Sequence, residues 1–210
     1  MKNDIFLSGH TIDLRIPSEE DMLNSGWHSW YNNLETTRHN SHGLYPISAK
    51  QEYDIIQSIM SDENTILLSV YESKNNKIIG NTALQNIDHK NRRCNLALTI
   101  GESAPMSAGV EAWGLLLEHA FTRLNLERIE DGTHEGLRGF ILMLSILGVR
   151  IEGISKNYFL KNGKWSDKIN FAVLKDEFMR LQNERNGNIL FNTLPELNKE
   201  IVNAVKENKV

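Results

Sequence analysis

Four titratable side chains in this sequence stand where they could transfer protons. Glu102, Asp131, His134 and Glu135 lie near the C-terminal ends of two predicted strands. An imidazole titrates near neutral pH, and a carboxylate can also serve as a general base. His134 is the best suited of the four by residue type. The competing interpretation is a loop histidine without a chemical role.

Metal and thiol chemistry have little support in the sequence. His39 and His42 are the only closely spaced histidines, and no cysteine accompanies them at ligand spacing. We therefore expect no metal. Cys94 is the only cysteine, so it cannot form an internal disulfide, and it stands in an apolar-rich run. It is predicted to be a small core residue rather than a nucleophile.

Composition indicates one compact domain. The chain has 210 residues, of which 40% are hydrophobic and 24% charged, and its formal charge is −4. This charge argues against nucleic acid as a partner, because binding phosphates requires a surplus of Lys and Arg. The N-terminus lacks the apolar stretch of a signal peptide, and no run approaches the roughly 20 apolar residues of a membrane span. We expect a cytoplasmic protein without a membrane partner, and a homodimer remains open.

The first half of the chain reads as short helices followed by strands. A strand is predicted over 12–16, where Pro17 stops it, and Ser18 has the residue type of a helix N-cap. Residues 27–45 are expected to form loops with short helical pieces, and 48–60 an amphipathic helix. Three strands over 65–72, 77–87 and 92–100 predict an antiparallel meander.

The second half alternates helices and strands. Apolar residues at helical spacing predict a helix over 107–125, followed by a strand over 128–133 and a buried helix over 137–147 that ends at Gly148. Strands over 149–160 and 165–174 flank Asn162-Gly163, a strong hairpin signal. The main domain is predicted to span 1–178. A tail over 179–210 would pack on it or extend from it, with an amphipathic stretch over 195–205.

The order of these elements and several short motifs carry a resemblance to a known family. The motifs are Ile79-Gly80-Asn81, Ile100-Gly101, Glu111-Ala112, Leu124 to Ile129, Leu147-Gly148, Glu152-Gly153 and Phe159 to Asp167. Together they resemble the GNAT acetyltransferase superfamily, particularly the branch of ribosomal-protein N-terminal and nucleotide-amino-sugar N-acetyltransferases. The resemblance covers residues 5–178. It implies an α/β (α+β) fold with a mixed, mostly antiparallel twisted sheet, flanking helices and splayed central strands.

The resemblance implies acetyl-CoA as co-substrate and suggests where it binds. Leu98, Thr99 and Ile100 would contact the pantetheine. The pyrophosphate would lie on backbone amides at a helix N-terminus, where unpaired donors and the helix dipole favour an anion. Those amides belong to Ser107, Ala108, Gly109 and Val110. The family's phosphate motif aligns with residues 104–109 and only its last glycine is retained, so weakened binding is expected.

Catalytic positions of the family differ in this chain. Asn95 stands where many relatives have a carboxylate, and Leu137 and Leu144 stand where they have Asn and Tyr. Acetyl transfer would therefore rely on proximity and on another acid or base. Glu102 and His134 are the candidates that we assign to this role beside Asn95. By the same resemblance, Trp30, His39 and His42 would contact the acceptor, with ordinary packing as the alternative interpretation.

The leading functional hypothesis is N-acetylation, from acetyl-CoA, of a primary amine on a small acceptor. An amino sugar linked to a nucleotide is the first choice. The second is a protein N-terminus, as in the ribosomal-protein branch, which would favour an acidic open groove. A third hypothesis is a GNAT-like module that has lost catalysis, because residue types depart from the family at the phosphate loop, at Asn95 and at Leu144.

Overall fold

The structure is a computed structural model that describes residues 4–207. It divides into two compact units. The first contains the residues up to Ile87 together with Leu96–Ala112, and the second contains Asp88–Asn95 and the residues from Trp113 onward. Each unit is described separately below.

The first unit combines antiparallel strands with three helices. Its elements are β1 (Ile5–Ser8), β2 (Ile12–Arg15), α1 (Glu19–Asn24), α2 (Trp27–Asn32), α3 (Ala49–Met60), β3 (Ile66–Glu72), β4 (Lys77–Asp88) and the C-terminal part of β5 (Arg93–Ile100). Strands β1 to β4 pair antiparallel with their neighbours, and β5 follows β4 in the strand order. The meander predicted from the sequence is confirmed.

Capping residues fix where two of these helices begin. Ser18 precedes α1, and its hydroxyl accepts from the amide of Asp21 while the Asp21 carboxylate accepts from the amide of Ser18. Ser48 and Gln51 form the same reciprocal pair at the start of α3. Both capping boxes satisfy amides that a helix N-terminus would otherwise leave unpaired, which confirms the predicted starts.

The helices of the first unit pack around a cluster of large apolar side chains. Met22, Trp27, Trp30, Ile56 and Ile78 are buried in it, and four partly buried side chains pack against it, namely Tyr31, Tyr53, Leu67 and Tyr71. The rings of Trp27 and Trp30 stack with centroids 6.0 Å apart. Five of these nine side chains are aromatic, and four of the five belong to α2 or α3.

The second unit includes the first residues of β5, up to Asn95. Its further elements are α4 (Ala108–Thr122), whose first turn lies in the first unit, β6 (Arg128–His134), α5 (Arg138–Leu144), β7 (Arg150–Lys161), β8 (Lys164–Leu174), α6 (Lys175–Glu184) and α7 (Leu194–Glu207). The strand order is β5-β6-β8-β7. Strand β6 pairs in parallel with β5 and antiparallel with β8. The predicted mixed, mostly antiparallel sheet is therefore confirmed.

Three residues with left-handed backbone conformation end elements of the second unit as predicted. Gly148 follows α5 and a short 3-10 turn with φ of 86°. Asn162 and Gly163 join β7 to β8 with φ of 51° and 73°. Positive φ at both central residues is the requirement of a type I′ turn.

Two elements were not predicted from the sequence. Strand β1 is short and mostly exposed, and its pairing with β2 provides the stability that its own pattern does not indicate. Helix α6 is polar but buries Phe178 and Gln182. The segment assigned to the tail also includes α7, which buries Leu197 and Ile201. Within residues 4–207, every helix is too short or too polar to cross a membrane.

Candidate active site

The start of α4 presents the amides that the resemblance assigns to the pyrophosphate. The amide of Ala108 donates to the carbonyl of Pro105 at 3.0 Å, which leaves it unavailable to a ligand. Among the described residues, no backbone acceptor pairs with the amides of Ser107, Gly109 and Val110. Three unpaired amides and the positive end of the helix dipole suit a phosphate group. The residues therefore fit this part of acetyl-CoA.

A buried carboxylate holds the same helix start in place. Glu111 is fully buried and accepts from the Ser107 hydroxyl at 2.6 Å, the Thr11 hydroxyl at 2.6 Å and the Thr11 amide at 2.8 Å. The Ser107 side chain is thus turned inward, towards Glu111 and Thr11. Gly9 must lack a side chain, because a Cβ there would lie 2.4 Å from Glu111 Oε2.

Leu98, Thr99 and Ile100 form the end of β5 in the first unit, and each is partly exposed. Strand β4 approaches this segment so closely that a Cβ at Gly80 would lie 2.2 Å from the Thr99 carbonyl oxygen. Gly80 is therefore required by the spacing of the two strands. The amides of Gly101 and Glu102 both donate to the carbonyl of Ile79, at 2.9 Å and 3.3 Å.

Glu102, a predicted acid–base candidate, is held by two donors. Lys77 Nζ lies 2.9 Å from its Oε2, and Trp30 Nε1 donates to its Oε1 at 3.2 Å. The Lys77 ammonium and the Trp30 indole hold the pKa of Glu102 below its ordinary value. A carboxylate with a lowered pKa is a weak base. Glu102 is thus better suited to orienting Trp30 than to accepting a proton.

Trp30 and the two early histidines occupy different environments. Trp30 is only 2% exposed, and its ring fills the space where Gly101 would carry a Cβ. His42 is exposed, with its ring centroid 4.7 Å from that of Tyr31, while His39 is partly buried. Trp30 therefore has a packing role, and His42 is the member of the predicted acceptor set that lies at the surface.

Tyr31 links helix α2 to the strands. The Asn81 amide donates to its hydroxyl at 3.0 Å. Burial raises the pKa of Tyr31, and its hydrogen-bonding neighbours Asn81 and Thr99 act in the opposite direction. The carboxylate of Glu52 raises that pKa further through its negative charge. Tyr31 thus lies next to Thr99 at the end of β5 and within electrostatic reach of α3.

Glu52 is a buried carboxylate that sequence reasoning missed. It is 6% exposed, and burial raises its pKa to about 6. Its position four residues before Ile56 places both side chains on the inner face of α3. An acidic residue at an apolar position of an amphipathic helix was the signal that could have identified it.

In the second unit, Asn95 contributes to strand pairing. Its amide nitrogen donates to the carbonyl oxygen of Glu130 at 3.1 Å, and these two residues are register partners in the parallel β5–β6 pairing. The neighbouring Cys94 is 2% exposed, and burial raises its pKa to about 12. Cys94 is therefore the core residue that was predicted.

The late candidates lie on and just after β6. Burial raises the pKa of Asp131 to about 6, although the Gly132 amide donates to its Oδ1 at 2.7 Å. His134 Nδ1 accepts from the Gly136 amide at 2.9 Å, and Glu135 Oε1 accepts from the Asp167 amide at 3.1 Å. His134 thus stabilises a local turn and Glu135 binds the backbone of β8, which leaves Asp131 as the group best poised to accept a proton near neutral pH.

Comparisons with known proteins identify the family of this chain. A family model described as an acetyltransferase (GNAT) domain matches residues 14–170. An uncharacterized N-acetyltransferase p20 from Bacillus licheniformis is 25% identical over 131 residues, which are 62% of this chain and 74% of the relative. Because the family model matches most of the chain, the protein belongs to the GNAT acetyltransferase family. It is an N-acetyltransferase of GNAT type, with acetyl-CoA as co-substrate.

Two solved structures illustrate the shared fold. A GCN5-related N-acetyltransferase from Brucella melitensis has a TM-score of 0.72 and 18% identity, covering 98% of this chain and 96% of that one. A spermidine N-acetyltransferase from Vibrio cholerae, in complex with CoA and spermine, has a TM-score of 0.71 and 19% identity, covering 81% of this chain and 99% of that one. At these identities the likeness shows the fold, and the predicted fold class is confirmed.

Proposed function

We propose that this acetyltransferase transfers the acetyl group to a primary amine of a small, positively charged acceptor. The observation that carries the proposal is the charge of residues 16–65, which contain α1, α2 and α3. This segment has eight acidic side chains and two basic ones, a formal charge of −6, whereas the whole chain carries −4. Such a concentration of negative charge attracts cations and repels anions.

The negative charge of this segment favours some of the acceptors suggested by the sequence over others. A nucleotide-linked amino sugar carries a diphosphate, which the acidic segment would repel. An alkylamine with more than one ammonium group is attracted instead, and the Vibrio cholerae neighbour is a spermidine N-acetyltransferase. A protein N-terminus is also cationic, so it is the second candidate. The acidic segment favours it for the same electrostatic reason.

The reaction requires that the acceptor amine lose a proton before it attacks the thioester. Asp131 is the side chain that we assign to this step. It is the first residue of β6 beyond the parallel pairing with β5, which ends at Asn95 and Glu130. Its raised pKa of about 6 keeps it ionised near neutral pH but basic enough to accept a proton.

Release of free CoA thiol tests the proposal. The wild-type chain is incubated with acetyl-CoA and, separately, with 1,4-diaminobutane, a uridine-diphosphate amino sugar and a basic peptide with a free N-terminus. The diamine is expected to be acetylated fastest. Asp131→Asn should lower kcat about 100-fold or more. Glu135→Gln is the matched control, because its amide oxygen can still accept from Asp167, and it should retain activity.

Two results would overturn the proposal. Acetylation of the sugar nucleotide alone would return the acceptor to the amino-sugar branch. Absence of thiol release with every amine, together with no calorimetric binding of acetyl-CoA, would instead favour a GNAT-like module without catalysis.

A further inference from the structure

Four acidic side chains are buried in the first unit, and three of them are satisfied. Asp13 accepts from Ser8 and Arg15. Asp21 accepts from the Ser18 amide and from the hydroxyls of Ser69 and Tyr71. Glu111 accepts three hydrogen bonds from Thr11 and Ser107. These three follow the rule that a buried carboxylate has donors around it.

Glu52 is the exception. It is 6% exposed, and no residue in the described part of the chain donates a hydrogen bond to its carboxylate, whose oxygens are not among the fully buried atoms left without a partner and so still reach solvent. An ionised carboxylate in a largely apolar environment, with water as its only partner, is poorly compensated. A ligand that supplies a positive charge and N–H donors would provide that compensation.

The surroundings of Glu52 suit an organic cation. On the inner face of α3 it neighbours Ile56, which packs in the cluster with Trp27 and Trp30. Tyr31 and Tyr53 pack against the same cluster. A carboxylate beside aromatic rings offers an ion pair to an ammonium group and cation–π and apolar contacts to the ammonium and its methylenes.

Glu52 is also set apart from the end of β5. Asn81 and Thr99 are hydrogen-bonding neighbours of the Tyr31 hydroxyl, whereas Glu52 acts on that group only through its charge. Its carboxylate is therefore farther from this hydroxyl than hydrogen-bonding distance. Thr99 belongs to the segment that the family resemblance assigns to pantetheine. An acceptor with two ammonium groups can place one near that segment and the other against Glu52.

On this basis we propose that Glu52 binds a second, non-reacting ammonium group of the acceptor, so that diamines and polyamines are preferred over monoamines. The inference rests on the proposed function, because it names the acceptor class of the same reaction. In this role Glu52 is a specificity-determining residue that contacts substrate but takes no part in the proton transfer.

Steady-state kinetics with two acceptors of matched length test the proposal. Butylamine and 1,4-diaminobutane differ only in the second amine. Glu52→Gln should raise KM for the diamine about 10- to 100-fold, because a charge-assisted contact is lost. For butylamine, KM and kcat should change by less than about threefold. Glu52→Asp should give an intermediate KM for the diamine, since the charge is kept but the side chain is shorter.

A matched control removes charge from the exposed face of the same helix. Asp54 pairs with Lys50 at the surface, and its carboxylate is 3.6 Å from Lys50 Nζ. Asp54→Asn should leave the KM of both acceptors unchanged. If it raised KM for the diamine as much as Glu52→Gln does, the effect would come from general electrostatic attraction, and the specific contact would be refuted.

The remaining outcomes separate the inference from the proposed function. An equal loss of kcat for both amines in Glu52→Gln would indicate that Glu52 acts as a base. An unchanged KM for the diamine would indicate that Glu52 does not contact the acceptor. Either result would overturn the inference while leaving the proposed function intact. If the wild type acetylated neither amine, the proposed function would fail. Calorimetric titration with 1,4-diaminobutane would then decide on its own, because binding lost in a folded Glu52→Gln supports the site and binding equal to wild type refutes it.

Discussion

At the scale of single residues, burial of Glu52 makes the stability of the free protein depend on pH. The pKa of Glu52 is about 6 in the folded chain, whereas its ordinary value is near 4.5. The folded state therefore holds this proton more tightly than the unfolded state. Below the pKa of Glu52 in the unfolded chain, both states are protonated and Glu52 does not reduce the free energy of unfolding. As pH rises through the pKa of the folded chain, the buried carboxyl ionises and the free energy of unfolding decreases.

Glu52→Gln should remove this dependence. The variant and the wild type should have similar free energies of unfolding at about pH 4, and the variant should be more stable by about 1 to 2 kcal/mol at about pH 8. Chemical denaturation at the two pH values measures the difference. Equal differences at both pH values would indicate that Glu52 is not buried as an uncompensated charge.

The partners of a side chain also decide which candidate residues suit catalysis. Glu102, His134 and Glu135 were selected by residue type and position near strand ends. The Glu102 carboxylate accepts from Lys77 and Trp30. His134 accepts from the Gly136 amide, and Glu135 accepts from the Asp167 amide. Asp131 has a single backbone donor and a raised pKa. The assignment of the proton-accepting role to Asp131 follows from this contrast.

At the scale of elements, the β7–β8 hairpin depends on the backbone conformation of its turn. Gly163 has φ of 73°, and an added Cβ would meet no atom within 4 Å. Gly163→Val should therefore destabilise the protein by about 1 to 3 kcal/mol through backbone strain alone. Thermal or chemical unfolding measures this effect.

The same hairpin provides the control. Gly153 lies in β7, also has no atom within 4 Å of an added Cβ, and does not have a positive φ. Gly153→Val should be close to neutral, since valine suits a strand. If the two variants were equally stable, strain at the turn would not be what Gly163 relieves.

At the scale of the whole molecule, acetyl-CoA affinity depends on very few donors. No Lys or Arg stands between Glu102 and Glu118, and the amides of Ser107, Gly109 and Val110 are the ones that lack a described backbone acceptor among the residues proposed to bind the pyrophosphate. Gly109→Gln should abolish binding, because its side chain would keep phosphate oxygens beyond about 3 Å from these amides. Ala104→Arg should tighten binding about 10-fold or more by adding a charge-assisted contact.

Calorimetric titration of acetyl-CoA into the three proteins tests this expectation. Ser107 is kept in both variants, because its hydroxyl is needed by Glu111. Gly153→Gln is the control, because it introduces the same side chain at a glycine of β7 that is not proposed to bind acetyl-CoA. Its affinity should equal that of the wild type. Equal affinity in the wild type and both site variants would place the pyrophosphate elsewhere.

Local features of the structure could be read from the sequence alone. Ser18 and Ser48 begin helices, Gly148 ends one, and Asn162-Gly163 turns a hairpin, because capping and turn preferences involve residues a few positions apart. The order of elements and several motifs were enough to indicate the GNAT family. The charge that supports a cationic acceptor is likewise a property of the sequence.

Only the tertiary structure decided which side chains have partners. Glu52, Asp21 and Glu111 look alike in the sequence. Asp21 and Glu111 accept hydrogen bonds from residues as distant as Tyr71 and Thr11, whereas Glu52 has no donor within residues 4–207. The inward orientation of Ser107 and the pairing of β1 were hidden for the same reason. Burial and hydrogen bonding join positions far apart in the chain, and local patterns carry no information about which of them will meet.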